Sequence, residues 1–242
     1  MTRTDSLPAL AVALLVLAAG CAGVGGSGDG QATQTSPEAF DYPSGLDESG
    51  LSATVLLDHH QSALESAGSA TVSTRKVVRS GDVRLVGTSE SRFSGDTVLS
   101  TGVTAPSLGG VNLTTAKYSD GDGTVWKISP ESKNETEYRV SDDPLTVPTA
   151  IQPTKLAWML EAGNYTATAA TVVNGTPVVR YTADTVDNRS ALDSQIANGT
   201  VTSFSGAVLV TESGVVRNAT VSFTWESPGG PQSRDYTYSV SG

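Results

Sequence analysis

The sequence predicts an α+β, mainly β domain: an antiparallel, curved sheet with two or three helices covering one face. Three observations carry that expectation. Several segments alternate apolar and hydroxyl-bearing residues with a period of two, the pattern of a strand with one buried face. Asn174-Gly175 joins two strand-like runs as a type I′ hairpin turn, and Glu212-Ser213-Gly214 joins two more. Helical spacing of apolar residues, by contrast, occurs in only a few places.

The chain opens with seven residues carrying one cation, Arg3, and after Pro8 runs into an uninterrupted apolar stretch, Ala9 to Ala19, ending in Gly20-Cys21. This is the anatomy of an export signal. As a helix, about 11 apolar residues would span only ~17 Å, roughly half a bilayer core, so the run is too short for an ordinary transmembrane anchor. Cys21 is the one cysteine, placed directly after the small residues Ala18, Ala19 and Gly20. That arrangement resembles a lipobox, although Ala18 stands where the pattern prefers a large aliphatic residue. The resemblance implies removal of residues 1–20, lipid on the Cys21 sulfur, and tethering to the outer face of a cell membrane. The alternative is an ordinary secretory signal with a leftover thiol.

Residues 21–49 are rich in Gly, Ser, Thr, Gln and Pro and read as a flexible tether that holds the domain beyond it about 30 Å from its anchor. Residues 50–242 suit a single extracytoplasmic domain large enough to fold without disulfides.

Within that domain the clearest helix runs from about Ser52 to Ala67. Leu56, Leu57, His60, Leu64 and Ala67 share a face, Ser52 stands at the start and Gly68 at the end. Ser69 to Val78 and Val83 to Phe93 are less regular strand candidates. A second helix starts at Pro153, suited to a first helical turn, and passes Leu156, Trp158, Met159 and Leu160 before Gly163. Tyr165-Thr166-Ala167-Thr168-Ala169 reads as a strand, and a short third helix is expected around Ser190 to Ala197. The alternation is cleanest in Ala219-Thr220-Val221-Ser222-Phe223-Thr224-Trp225 and continues in Tyr236-Thr237-Tyr238-Ser239-Val240. The chain ends at Ser241-Gly242 directly after this run, which leaves a further covering element as an open alternative.

Charge narrows the partners. With 15 Lys plus Arg against 25 Asp plus Glu, the net charge is -10, which argues against nucleic acid, since phosphate binding needs a basic surface. Arg outnumbers Lys, and the acidic, low-Lys composition fits a halophilic source as well as any acidic soluble protein. Each of the seven asparagines, Asn112, Asn134, Asn164, Asn174, Asn188, Asn198 and Asn218, begins an Asn-x-Ser/Thr triplet. By chance that has odds on the order of one in ten thousand. Several are therefore expected to carry glycans, which requires an extracytoplasmic, solvent-facing position; the alternative is that a Thr-rich β protein generates such triplets incidentally.

The order helix, strands, helix, hairpin, short helix, strands, with the late hairpin Phe204-Ser205-Gly206-Ala207-Val208-Leu209-Val210-Thr211-Glu212-Ser213-Gly214-Val215-Val216, resembles the half-barrel lipid and lipoprotein carriers of the LolA/LppX type. Tyr42-Pro43-Ser44-Gly45-Leu46, then Leu56-Leu57-Asp58-His59-His60 and Leu64, resembles the start of a family of uncharacterised haloarchaeal surface lipoproteins, from which Ser69-Ala70-Thr71 departs. The carrier resemblance implies a half-open barrel around an apolar cavity that accepts acyl chains. Phe204, Val208, Phe223 and Trp225 would then line the concave face, with Trp158 and Met159 on the covering helix. The alternative for the same six residues is an ordinary filled core.

Catalytic constellations are thin. His59 and His60 are the only histidines, and adjacent helical residues diverge by about 100°, so they cannot chelate one metal together. His60 reads as a packing residue and His59 as solvent-facing. No Gly-x-Ser-x-Gly elbow is present. Asp120-Gly121-Asp122-Gly123 lacks the remaining ligands of a calcium loop and reads as a turn before Thr124-Val125-Trp126. No enzyme, metal or cofactor is expected. The functional expectation is a membrane-anchored extracytoplasmic lipoprotein that binds or carries an apolar ligand such as lipid; the alternative is a glycosylated adhesion or envelope-interaction module. No protein partner can be read from these residues.

Overall fold

Alternating faces and tight turns build one large sheet. A computed structural model of the chain describes residues 36–106, 112–130, 136–196 and 199–242. A short hairpin, β1 (Leu46–Asp47) and β2 (Gly50–Leu51), precedes helix α1 (Ala53–Ala67). Six strands come next: β3 (Ser69–Ser80), β4 (Val83–Ser94), β5 (Thr97–Pro106), β6 (Leu113–Ser119), β7 (Thr124–Pro130) and β8 (Glu137–Ser141). Helices α2 (Val147–Ile151) and α3 (Pro153–Glu161) lead into β9 (Thr166–Val173), β10 (Thr176–Ala183), β11 (Thr200–Thr211), β12 (Val216–Ser227) and β13 (Gly230–Ser241).

Eleven strands pair antiparallel in the order β8-β7-β6-β5-β4-β3-β13-β12-β11-β10-β9. The sheet is curved and not closed, with β8 and β9 as its edges. The last strand, β13, pairs with β3 and so welds the two runs of strands together at the middle, in register from Gln232↔Ser80 to Ser241↔Thr71. The fold class expected from the sequence is therefore the one observed.

Local chemistry accounts for the boundaries. Gly68 ends α1 in the left-handed region (φ 70°), its N–H donating to the Glu65 carbonyl at 3.1 Å. Asn174 and Gly175 both take positive φ, 50° and 78°, between β9 and β10, as a type I′ turn demands. Thr146 caps α2, its hydroxyl accepting from the Thr149 N–H at 3.4 Å. Gln152 then stands at φ 57° between α2 and α3.

The core fills the space between the three helices and one face of the sheet. Leu56, His60 and Leu64 of α1 and Leu156, Trp158, Met159 and Leu160 of α3 are buried. So are Ala219, Val221, Phe223 and Trp225, the alternate residues of β12. Trp158 meets the Phe223 and Tyr236 rings edge-on, with centroids 6.4 and 4.7 Å away, a favourable aromatic geometry.

His60 is the polar centre of this core. The Val216 N–H donates to its Nδ1 at 3.1 Å, so Nε2 carries the ring proton and donates to the Tyr238 hydroxyl at 2.8 Å. Tyr238 in turn donates to the Ile151 carbonyl at 2.9 Å. One imidazole thereby links α1, α2, β12 and β13, and burial pushes its pKa down to about 4.

Several expectations are corrected. The stretch up to residue 49 has a tether-like composition, yet its described part is packed: Phe40 and Leu46 are in the core, and the Asp47 carbonyl accepts from the Tyr181 hydroxyl at 2.9 Å. A few large apolar residues anchor it despite its Gly, Ser and Pro content. His59 is half-buried rather than solvent-facing, its Nε2 3.2 Å from the Ser44 carbonyl. Ala67 is exposed at the end of α1, where the helix leaves the core. The expected third helix shrinks to a single 3-10 turn, Arg189–Leu192, pinned by the buried Leu192.

Candidate functional site

Register divides the helix-bearing face of the sheet into two contrasting fields. From β13 to β10 one row reads Tyr238, Ala219, Val208, Tyr181, all buried under the helices. The same row continued from β3 to β6 reads Thr74, Ser89, Gly102, Thr115. The row beside it runs Tyr236, Lys76, Gly87, Thr104, Leu113. Small side chains under the α3 edge leave a groove of about 280 Å³, walled by Met159, Tyr236, Tyr238 and Leu113. A second depression of about 290 Å³ adjoins it, sharing Ser89, Gly102, Thr115 and Lys155 and reaching Lys117 and Gln152. Pockets of a few hundred Å³ with an apolar wall and a few polar groups suit small ligands.

The groove's polar groups have defined positions. Lys155, in the first turn of α3, places Nζ 3.5 Å from Thr74 Oγ1 and 3.4 Å from Ser89 Oγ, which are themselves 2.7 Å apart. Burial, and next the charge of Lys76, hold the Lys155 ammonium below its usual pKa. Lys76 Nζ lies 5.5 Å from the Tyr236 ring centroid, and Lys117 Nζ 3.7 Å from that of Trp126. Gln152 donates through Nε2 to Ser91 Oγ at 3.3 Å, while its Oε1 is buried without a hydrogen-bond partner. At Gly87 an added Cβ would meet nothing within 4 Å, so the strand floor there opens onto free space.

The residues expected to line a cavity are placed otherwise. Trp158, Phe204, Val208, Phe223 and Trp225 all belong to the packed core, together with Met159, which alone of the six also borders the groove. Lys76, Lys155, Thr74, Ser89 and Gly87 were not legible as a site, because they are scattered along the chain and carry no spacing motif; a glycine inside a strand was the one local signal.

Cys21, Asn134 and Asn198 lie outside the described residues. Asn164, Asn174 and Asn188 are exposed, and Asn112 and Asn218 half-buried. Asn188 accepts at Oδ1 from the hydroxyl of its own triplet, Ser190, at 2.6 Å. Among the described residues no helix is long and apolar enough to cross a membrane, and no three His, Cys, Asp or Glu side chains come together as a metal site.

No match is found among curated proteins. Among solved structures the chain is similar to LprF from Mycobacterium bovis, at 10% identity and a TM-score of 0.38, covering 77% of this chain and 91% of that one. It is also similar to the Mycobacterium tuberculosis lipoprotein LppX, at 13% identity and a TM-score of 0.33 over 78% and 95%. A LolA superfamily protein from Nitrosomonas europaea matches at 9% identity and a TM-score of 0.25 over 78% and 93%. A family model described as a family of unknown function, DUF7537, matches residues 6–242, and the chain belongs to that family.

Proposed function

We propose that this protein is a membrane-tethered, extracytoplasmic binding protein that takes an apolar ligand such as lipid into the groove between α3 and strands β3 to β6. The single observation that carries the reading is the change of character along one face of one sheet. Where helices cover it, large side chains fill the space; under the α3 edge, Thr74, Gly87, Ser89 and Gly102 leave it open beside the apolar wall of Met159, Tyr236 and Leu113. The tether is the Cys21 signal read from the sequence. No enzymatic activity is proposed.

The test is native mass spectrometry of the full chain purified in mild detergent from its own membranes, comparing wild type with Cys21→Ser. The expected Cys21→Ser protein lacks a covalent lipid mass yet retains a lipid-sized species that organic extraction removes. A bare Cys21→Ser chain overturns the ligand reading.

One observation favours a second reading, a glycosylated adhesion or envelope-interaction module. On the opposite face of the sheet Leu99, Tyr118, Val125 and Val140 are cross-strand neighbours across β5 to β8, and all four are exposed, Val140 at 78%. A contiguous exposed apolar row of this kind is a mark of surfaces that meet other molecules. Glycans on the exposed Asn164, Asn174 and Asn188 would stand on the other half of the molecule.

A further inference from the structure

Cations are scarce in this chain, and their distribution is uneven. Of five lysines, Lys76, Lys117 and Lys155 stand at the groove or its rim. Arg234 occupies the helix-facing position of β13 next to Tyr236, its guanidinium 5.3 Å from the Trp225 ring centroid and its Nε buried without a partner. Among the described residues none of these four forms an ion pair with a carboxylate, although acids outnumber bases by 25 to 15. Neither depression that makes up the groove is lined by an Asp or Glu.

Crowding like charges is unfavourable, and Lys76 already disfavours the charged form of Lys155. An arrangement of that kind is relieved by an anion placed between the ammoniums, which would also take a hydrogen bond from whichever of the Thr74 and Ser89 hydroxyls does not donate to the other. Gly87, paired directly with Lys76, leaves the room for it.

We infer that the groove selects an amphiphile with an anionic, phosphate-type headgroup, which Lys76 and Lys155 grip while Met159, Tyr236 and Leu113 receive its apolar part. Lys117 and Arg234 stand further out on the same face and add to the attracting field without touching the head. This rests on the groove being the ligand site, and it adds what that reading lacks: the sign and chemistry of the group recognised.

Full-length protein in a neutral nonionic detergent is titrated with dodecyl phosphate, with uncharged 1-O-dodecylglycerol, and with inorganic phosphate, and bound species are counted by native mass spectrometry. Dodecyl phosphate is expected to bind one to one and at least roughly tenfold more tightly than dodecylglycerol. The double variant Lys76→Gln/Lys155→Gln is expected to lose that preference while keeping dodecylglycerol. Gly87→Val, whose added methyls enter free space, is expected to fold normally and lose both. Equal binding of the two dodecyl probes by wild type overturns the headgroup inference and leaves the groove reading standing. Binding of neither overturns both. Inorganic phosphate binding as tightly as dodecyl phosphate assigns the site to a free anion and overturns the amphiphile.

Discussion

The two halves of the eleven-stranded sheet belong to one antiparallel pairing order, yet differ in what their helix-bearing face carries. In β9 to β13 that face holds Tyr181, Val208, Phe204, Phe223 and Trp225, and the helices lie directly on it. In β3 to β6 the continuation of the row of Tyr181 and Val208 and the row beside it hold Thr74, Ser89, Gly102, Lys76, Gly87 and Thr104, and α3 reaches only their margin. The Phe223 row instead runs on into Arg234, Val78 and Leu85, and the other end of these strands is packed at Val72, Phe93 and Val98. Side-chain volume and polarity distinguish core from groove here. A sheet too wide for its helices must leave part of one face uncovered, and in the rows beside α3 this sequence places mainly small, hydroxylated and cationic side chains.

That contrast can be broken most sharply by truncation. Phe223→Ala, in the packed half, is expected to destabilise the protein by about 3–5 kcal/mol in denaturant unfolding, through lost burial plus the cavity left beneath Trp158. Thr104→Ala, in the open half, is expected to change stability by no more than about 0.5 kcal/mol. Comparable losses at the two positions would mean that the open half is packed as well.

Acid tests the packed half without mutation. His60 has a pKa of about 4 in the folded protein against 6.5 unfolded. Between those values the unfolded chain binds the proton first, so stability is full above pH 6.5 and falls as pH is lowered through 6.5 towards 4. The loss amounts to about 3 kcal/mol, because the buried site disfavours the charged ring. A stability profile that stays flat from pH 7 to 4.5 would remove His60 from its role at the centre of the core.

Smaller effects sharpen the boundary. Gly175→Ala forces a side chain onto φ 78° and is expected to cost about 1 kcal/mol by thermal unfolding, with no change at the groove. Gly87→Val is expected to raise stability by up to about 1 kcal/mol, since a strand-interior glycine gives way to a residue suited to strands and nothing stands within 4 Å of the added carbon. A destabilised Gly87→Val would show the groove to be closed.

The packed half is also the half that reads from sequence. β12 alternates without interruption from Ala219 to Trp225, and each of its apolar residues is buried. The same transparency holds for α1, with its apolar stripe and its terminal Gly68, and for the Asn174-Gly175 turn. Strands β5 to β8 were not foreseen apart from the Asp120 to Gly123 turn, because neither of their faces is apolar enough to impose a period of two: Leu99, Tyr118 and Val125 are exposed on one side, and Ser100, Gly102 and Thr115 stand on the other. Helix α2 was missed since five residues, one of them proline, carry no helical period.

For the site the balance is reversed. Six apolar residues were read as cavity lining from the carrier resemblance, with a filled core as the alternative, and their apolar character places them in the packed interior, where burying apolar area is most favourable. The residues that shape the groove, small or cationic on its floor and apolar or aromatic in its wall, lie on five strands and a helix between positions 74 and 238.

The sequence by itself determined the elements whose information is local: the amphipathic stripe of α1, the hairpin turns, and the strands with one apolar face. Tertiary structure alone decided that β13 closes onto β3, which brings Tyr236 against Lys76, and that α3 lies along the margin where large side chains give way to small ones, which sets Lys155 over Thr74 and Ser89. The physical reason is that periodicity records whether a face is buried, whereas a groove is defined by what covers the face, and that depends on residues far apart in the chain.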